Sequence, residues 1–129
     1  MTEEEIGSQI VDVAIQIHQE MGNGLLETVY EVILAHELRD RDLSVARQVA
    51  IPIEHKGHKF DEGFRLDLLV ENKVIVELKC VERLNNVHKK QLLTYLRLTD
   101  KKLGFLLNFS EALMKHGITR IVNRLPEKI

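Results

Sequence analysis

Two adjoining apolar segments with charges set into them constrain this chain more than any other feature. Phe64-Arg65-Leu66-Asp67-Leu68-Leu69-Val70 and Val74-Ile75-Val76-Glu77-Leu78-Lys79-Cys80 are separated by Glu71, Asn72 and Lys73. Their richness in Leu, Ile and Val is the pattern of strands covered on both faces, and the short polar spacer reads as a turn. Side chains alternate along a strand, so Asp67, Leu69, Ile75, Glu77 and Lys79 are expected on one face. If the turn leaves an odd number of residues unpaired, Asp67 stands opposite Glu77 and Leu69 opposite Ile75. Two carboxylates about 5 Å apart repel by about 3 kcal/mol at an effective dielectric of about 20. A divalent cation removes that penalty, and Asp and Glu oxygens are the ligands Mg2+ prefers. The plainer alternative is a surface ion pair between Glu77 and Lys79, with Asp67 completing a network; such pairs contribute about 0–1 kcal/mol. Cover on both faces favours the first reading, because a charge under cover must be paired or bind metal.

At 129 residues the chain supports one core, and it is read as a single domain over residues 1–129. Hydrophobic content of 44% and charged content of 29% describe an ordinary globular chain. No apolar run reaches the roughly 18 residues of a transmembrane helix, and the acidic start is not expected to be a secretory signal. A lone cysteine, Cys80, leaves no internal disulfide and fits a reducing cytoplasm. Lying on the apolar face with Val74, Val76 and Leu78, it reads as a small core residue. The net charge of −2 divides into −8 over residues 1–64 and +6 over residues 65–129. That separation marks a candidate polyanion-binding side. The small total argues against strong non-specific DNA affinity, so nucleic-acid contact is expected to be local and cation-dependent.

Hydrophobic periodicity orders the elements. Ile6, Ile10, Val13, Ala14, Ile17 and Met21 give a first amphipathic helix that stops at Gly22-Asn23-Gly24. Leu26, Val29, Tyr30, Ile33, Leu34 and Leu38 form the buried stripe expected of a second, with Glu27, Thr28 and Glu31 as its polar positions. Alternation over residues 45–54 predicts a strand, and Pro52 places it at an edge or marks its end. A turn at residues 55–58 leads into the first of the two charged strands, where Gly63 is a candidate bulge. A third helix is expected over residues 84–98, a strand over 103–109, a helical turn over 110–116 and a last strand over 118–123. The order ααβββαβ plus a final strand predicts an α/β fold with a mixed central sheet flanked by helices.

Asp67 and the run Glu77-Leu78-Lys79, following an acidic helix, resemble the PD-(D/E)XK nuclease superfamily, with Leu66 where the signature has Pro. Gly24, Glu27 and Tyr30 match the GxxExxY motif of a family of small bacterial and archaeal proteins within it. Gln91 and Tyr95 resemble the QxxxY motif of its exonuclease-like branch. The resemblance covers residues 6–124 and implies a restriction-endonuclease-like fold. It further implies a nuclease in which Asp67, Glu77 and the Leu78 carbonyl bind Mg2+ or Mn2+. Lys79 would orient the attacking water or stabilise the transition state, and Glu27 would hold a metal-bound water or a second ion. Gln91 would hydrogen-bond in the site and Tyr95 would contact the nucleic-acid strand, DNA being the expected substrate. From the residues alone, Gln91 and Tyr95 read first as boundary residues on an apolar helix stripe, and Tyr30 as a packing residue.

Two alternatives stay open: a non-catalytic nucleic-acid- or protein-binding domain that keeps the fold, and a subunit active only with a partner. A domain this small has little surface to grip a duplex, which leaves room for a homodimer or a larger partner. His55 and His58 flank a Gly turn without completing a zinc set. Lys89, Lys90, Lys101 and Lys102 read as solvated charges.

Overall fold

The computed structural model describes residues 1–125, with the backbone alone at Glu62. The expected domain runs to residue 129, and residues 126–129 lie outside the described residues. In chain order the elements are α1 (Glu3–Met21), α2 (Glu27–Asp40), β1 (Val45–His55), β2 (His58–Val70), β3 (Val74–Lys79), α3 (Asn86–Thr99), β4 (Leu103–Asn108), a 3-10 turn (Met114–His116) and β5 (Ile118–Val122). The five strands form one sheet in the order β1-β2-β3-β4-β5. Only β3 and β4 run parallel, joined by α3 as the crossover; the other neighbours are antiparallel.

Local chemistry sets the helix ends. Thr2 and Glu5 close a reciprocal capping box at α1, which starts the helix ahead of its first apolar residue. Asn85 accepts the N–H groups of Val87 and His88, so α3 begins at Asn86, two residues later than its apolar stripe suggests. α2 has no side-chain cap at Leu26. Its entry is fixed instead by Tyr30, whose hydroxyl donates to the Gly22 carbonyl at 2.6 Å and accepts the Leu25 N–H at 3.1 Å. The buried Tyr30 ring stacks on Phe109, with centroids 4.3 Å apart.

The sheet is covered on both sides. On one, Ile6, Ile10, Val13, Ile17, Leu34 and Leu38 of α1 and α2 pack on Leu68, Val70, Val74, Val76, Leu78 and Leu107. On the other, Leu92, Tyr95 and Leu96 of α3 close over Ile51, Leu66, Ile75 and Leu106. Each buried aliphatic side chain stabilises the fold by about 1.5–3 kcal/mol relative to exposure.

The face that α2 buries departs from expectation. Leu26 and Val29 are exposed, Leu26 to 73%, and the inner face is made by Tyr30, Glu31, Leu34, Ala35 and Leu38. Because Leu26 precedes the first helical turn, the stripe rotates toward Glu31. Met21 and Val87, also expected on apolar stripes, are likewise exposed. β1 is an edge strand, as Pro52 implies, and the register shifts between Ile51 and Ile53 opposite Gly63. A Cβ at Gly63 would stand 1.9 Å from the Ile51 carbonyl oxygen, so this irregularity admits only glycine without rearrangement.

Candidate functional site

β2 and β3 begin as a regular antiparallel pair, with Val70 opposite Val74, Leu69 opposite Ile75 and Leu68 opposite Val76. The ladder ends there, one step before Asp67 and Glu77. Beyond it the side chains take over the bonding. Glu77 Oε2 accepts the Asp67 N–H at 2.9 Å, and Asp67 Oδ2 accepts the Leu78 N–H at 2.9 Å. The two carboxyl groups thus occupy the fork where the strands separate.

Strict alternation through this hairpin does not hold. Leu68 and Val70 lie under α1 and α2, whereas Leu66 lies under α3, although it has the same parity. The faces exchange at Asp67, which turns edgewise toward β3 instead of joining Leu69 on the α3 side. Ile75 faces α3 as expected, and Cys80 packs with the α1/α2 core below the even positions of β3.

Burial makes the pair electrostatically demanding. Glu77 is 6% exposed, and burial, the charge of Asp67 and a hydrogen bond with its carboxyl group push its pKa up to about 9. The dominant cause is desolvation, with the second carboxylate adding to it. Lys79 acts in the opposite sense on Glu77. Among the described residues Lys79 forms no ion pair, so the surface-pair alternative for Glu77 lacks its defining contact. The Lys79 carbonyl accepts the Phe109 N–H at 3.0 Å, anchoring the end of β3 to β4.

Tyr95 reaches this region from α3. It is 5% exposed, tilted against Phe64 at 4.9 Å between ring centroids. Its hydroxyl is pushed up to about 12 by burial and then by the charges of Glu77 and Asp67. Gln91, one turn earlier, is exposed. Glu27 is exposed at the first turn of α2, and its charge is felt at Cys80, whose thiol is raised mainly by burial. The Glu27 carboxylate does not form, with those of Asp67 and Glu77, a group whose ligand atoms all lie within 4.8 Å of one another. Among the described residues the one group of three potential ligands within 4.8 Å is His36, Glu37 and Asp40, all exposed on α2.

Two polar residues that periodicity passes over are buried nearby. Glu31 on α2 is 4% exposed and accepts Arg47 Nη2 at 2.8 Å and Gln48 Nε2 at 2.8 Å. Asn108 at the end of β4 is fully buried; it donates to the Val81 carbonyl at 2.8 Å and accepts the Val81 N–H at 3.1 Å. That exchange holds the segment that follows Lys79. An Asn ending an otherwise apolar strand was the available signal.

A mixed sheet with helices on both faces and an acidic fork beside its parallel pair is a restriction-endonuclease-like fold. The chain belongs to the PD-(D/E)XK nuclease superfamily, whose family model matches residues 4–121. That span runs from the first turn of α1 to most of β5, and the function this membership carries is of the nuclease type. Comparison with curated proteins and with solved structures gives no match. Among the described residues no helix is long and apolar enough to cross a membrane.

Proposed function

We propose that this chain is a metal-dependent nuclease of the GxxExxY branch, hydrolysing phosphodiester bonds in DNA as a single cytoplasmic domain. The observation that carries the reading is the Asp67–Glu77 fork: two carboxyl groups, one of them buried, each bonded to the other strand's backbone. Both groups cannot be ionised there without a compensating cation. The donors are all oxygens, which fits Mg2+ or Mn2+. Asp67 and Glu77 would hold the ion. The Leu78 carbonyl would be a further ligand, since the Leu78 N–H points out of β3 toward Asp67 and the carbonyl of the same residue lies on that side of an extended strand. Bound there, the ion supplies a lowered pKa for an attacking water and neutralises charge on the scissile phosphate.

The chain's own residues do the rest. Lys79, at the strand end beside Glu77, orients the water or stabilises the negative charge that develops on the phosphorus oxygens. Glu27 acts at one remove, holding a water or a second ion from the start of α2. Gln91, exposed on α3 one turn before Tyr95, would offer its amide as a hydrogen-bonding group to the substrate. Tyr95 closes the α3 side of the fork, where its proton is held more firmly than in water, and offers a polar tip to the substrate strand. No covalent intermediate is required.

Leu26, just ahead of α2, and Val29 and Val32 on its first two turns are exposed, and this favours a second reading in which a homodimer or larger partner completes the active particle. The test is incubation of the chain with duplex, single-stranded and branched DNA, and with RNA, in Mg2+ and in Mn2+, beside Asp67→Ala. Metal-dependent cleavage lost in the variant supports the proposal. A folded chain that binds the ion yet cleaves none of these substrates contradicts it in favour of the partner-dependent reading.

A further inference from the structure

Glu31 takes no part in the proposed chemistry, yet it is the most buried acidic side chain on α2. Its Oε2 accepts both Nε and Nη2 of Arg47, at 3.1 and 2.8 Å, and its Oε1 accepts Gln48 Nε2 at 2.8 Å. Arg47 and Gln48 are consecutive residues of β1, and consecutive strand residues normally project to opposite faces. They reach the same carboxylate because Gln48 adopts φ 52°, the left-handed region. A glutamine rarely adopts that conformation, and it persists only where its surroundings hold it.

The location of this distortion matters more than its existence. Arg47 pairs with Leu68 and Val49 with Leu66, in the same register on either side. The residue of β2 left unpaired opposite Gln48 is Asp67. No residue is inserted in either strand, so this is a rotation of the chain and not a bulge. It is where the faces exchange, with Leu68 under α1 and α2 and Leu66 under α3. Without the rotation Asp67 would point to the α3 face with Leu69, and its carboxylate could not accept the Leu78 N–H.

We propose that Glu31 is a positioning residue: by holding Gln48 in the left-handed conformation it turns Asp67 into the fork with Glu77. The inference rests on the reading of that fork as the metal site, and it adds the device that builds it. Residues that orient metal ligands typically weaken metal binding 10–100-fold when removed.

Glycine adopts positive φ without help, whereas a β-branched residue resists it. This gives a rescue experiment. Mn2+ affinity by calorimetry, melting temperature, and hydrogen exchange of the Leu78 amide are measured for wild type, Glu31→Ala, Gln48→Val, Gln48→Gly and the double variant Glu31→Ala/Gln48→Gly. Glu31→Ala and Gln48→Val should each bind Mn2+ about 10–100-fold more weakly and exchange the Leu78 amide faster relative to the other β3 amides. Gln48→Gly should stay near wild type, and the double variant should recover what Glu31→Ala loses. Should Glu31→Ala fail to fold, the contrast between Val and Gly at position 48 decides the matter alone. A merely structural Glu31 lowers the melting temperature with no change in Mn2+ affinity and no rescue by glycine, which overturns the proposal. If wild type binds no Mn2+, the metal reading fails, and Leu78 exchange still decides the positioning role by the same pattern of loss and rescue.

Discussion

Asp67 and Glu77 each complete the other strand's backbone: Glu77 accepts the Asp67 N–H, and Asp67 accepts the N–H of Leu78, the residue after Glu77, both at 2.9 Å. The bonds that a ladder would supply one step further along are supplied by carboxylates. The same oxygens that finish the hairpin are therefore the candidate ligands, and fold stability and site occupancy are coupled in this chain.

Stability without metal should fall as pH rises. The Glu77 carboxyl is raised from 4.5 to about 9 in the folded protein, so the native state keeps a proton that the unfolded chain has lost. By linkage this contribution is fully present below the unfolded pKa and disappears as pH rises through the folded one. In EDTA, the melting temperature of wild type should decline from about pH 5 to about pH 9. Glu77→Gln, which carries the hydrogen-bonding shape without the titration, should flatten that decline. Parallel slopes in the two proteins would remove the buried, protonated carboxyl from the account.

Millimolar Mg2+ or Mn2+ should raise the melting temperature, and more so at higher pH, because the ion must displace the Glu77 proton. Asp67→Asn should abolish the increment. Thermal melts across a metal titration at two pH values measure both effects.

Lys79→Ala should leave the melting temperature and metal binding close to wild type, since Lys79 pairs with neither carboxylate within 4.0 Å. Cleavage should fall by roughly 10²–10³, the usual cost of removing one group that acts on developing charge. Single-turnover rates on a labelled DNA substrate read this directly. Wild-type rates in the folded variant would take Lys79 out of the mechanism.

Tyr30→Phe should destabilise the fold by about 1–3 kcal/mol, because one hydroxyl serves both the Gly22 carbonyl and the Leu25 N–H in a buried setting. Urea denaturation quantifies it. Metal affinity of the folded variant should not change.

Much of this arrangement is legible in the sequence. A three-residue turn between two apolar runs sets the pairing of Leu69 with Ile75, and Pro52 and Gly63 announce an edge strand and its irregularity. The exchange of faces at Asp67 is not legible, because the period of two assumes a regularly twisted strand, and the rotation coincides with a left-handed Gln48 whose side chain bonds to Glu31, 17 residues away on a helix. Glu31 looks like a solvent position for the same reason: only Arg47 and Gln48 make its burial tolerable, and neither lies on its helix. Leu26 carries the opposite lesson. It continues the apolar spacing of α2 yet stands just outside the helix, where that spacing has no meaning. Glu27 shows the limit of motif reasoning, since the pattern sets its position on α2 but not its distance from Asp67 and Glu77.

The most direct test is anomalous diffraction from crystals of the wild-type chain grown with Mn2+. A manganese peak is expected in the fork between β2 and β3, in contact with carboxylate oxygens of Asp67 and Glu77 and lost in Asp67→Asn. A fork without manganese, with the ion found instead at His36, Glu37 and Asp40 on α2 or nowhere, would contradict the reading of that fork as the metal site.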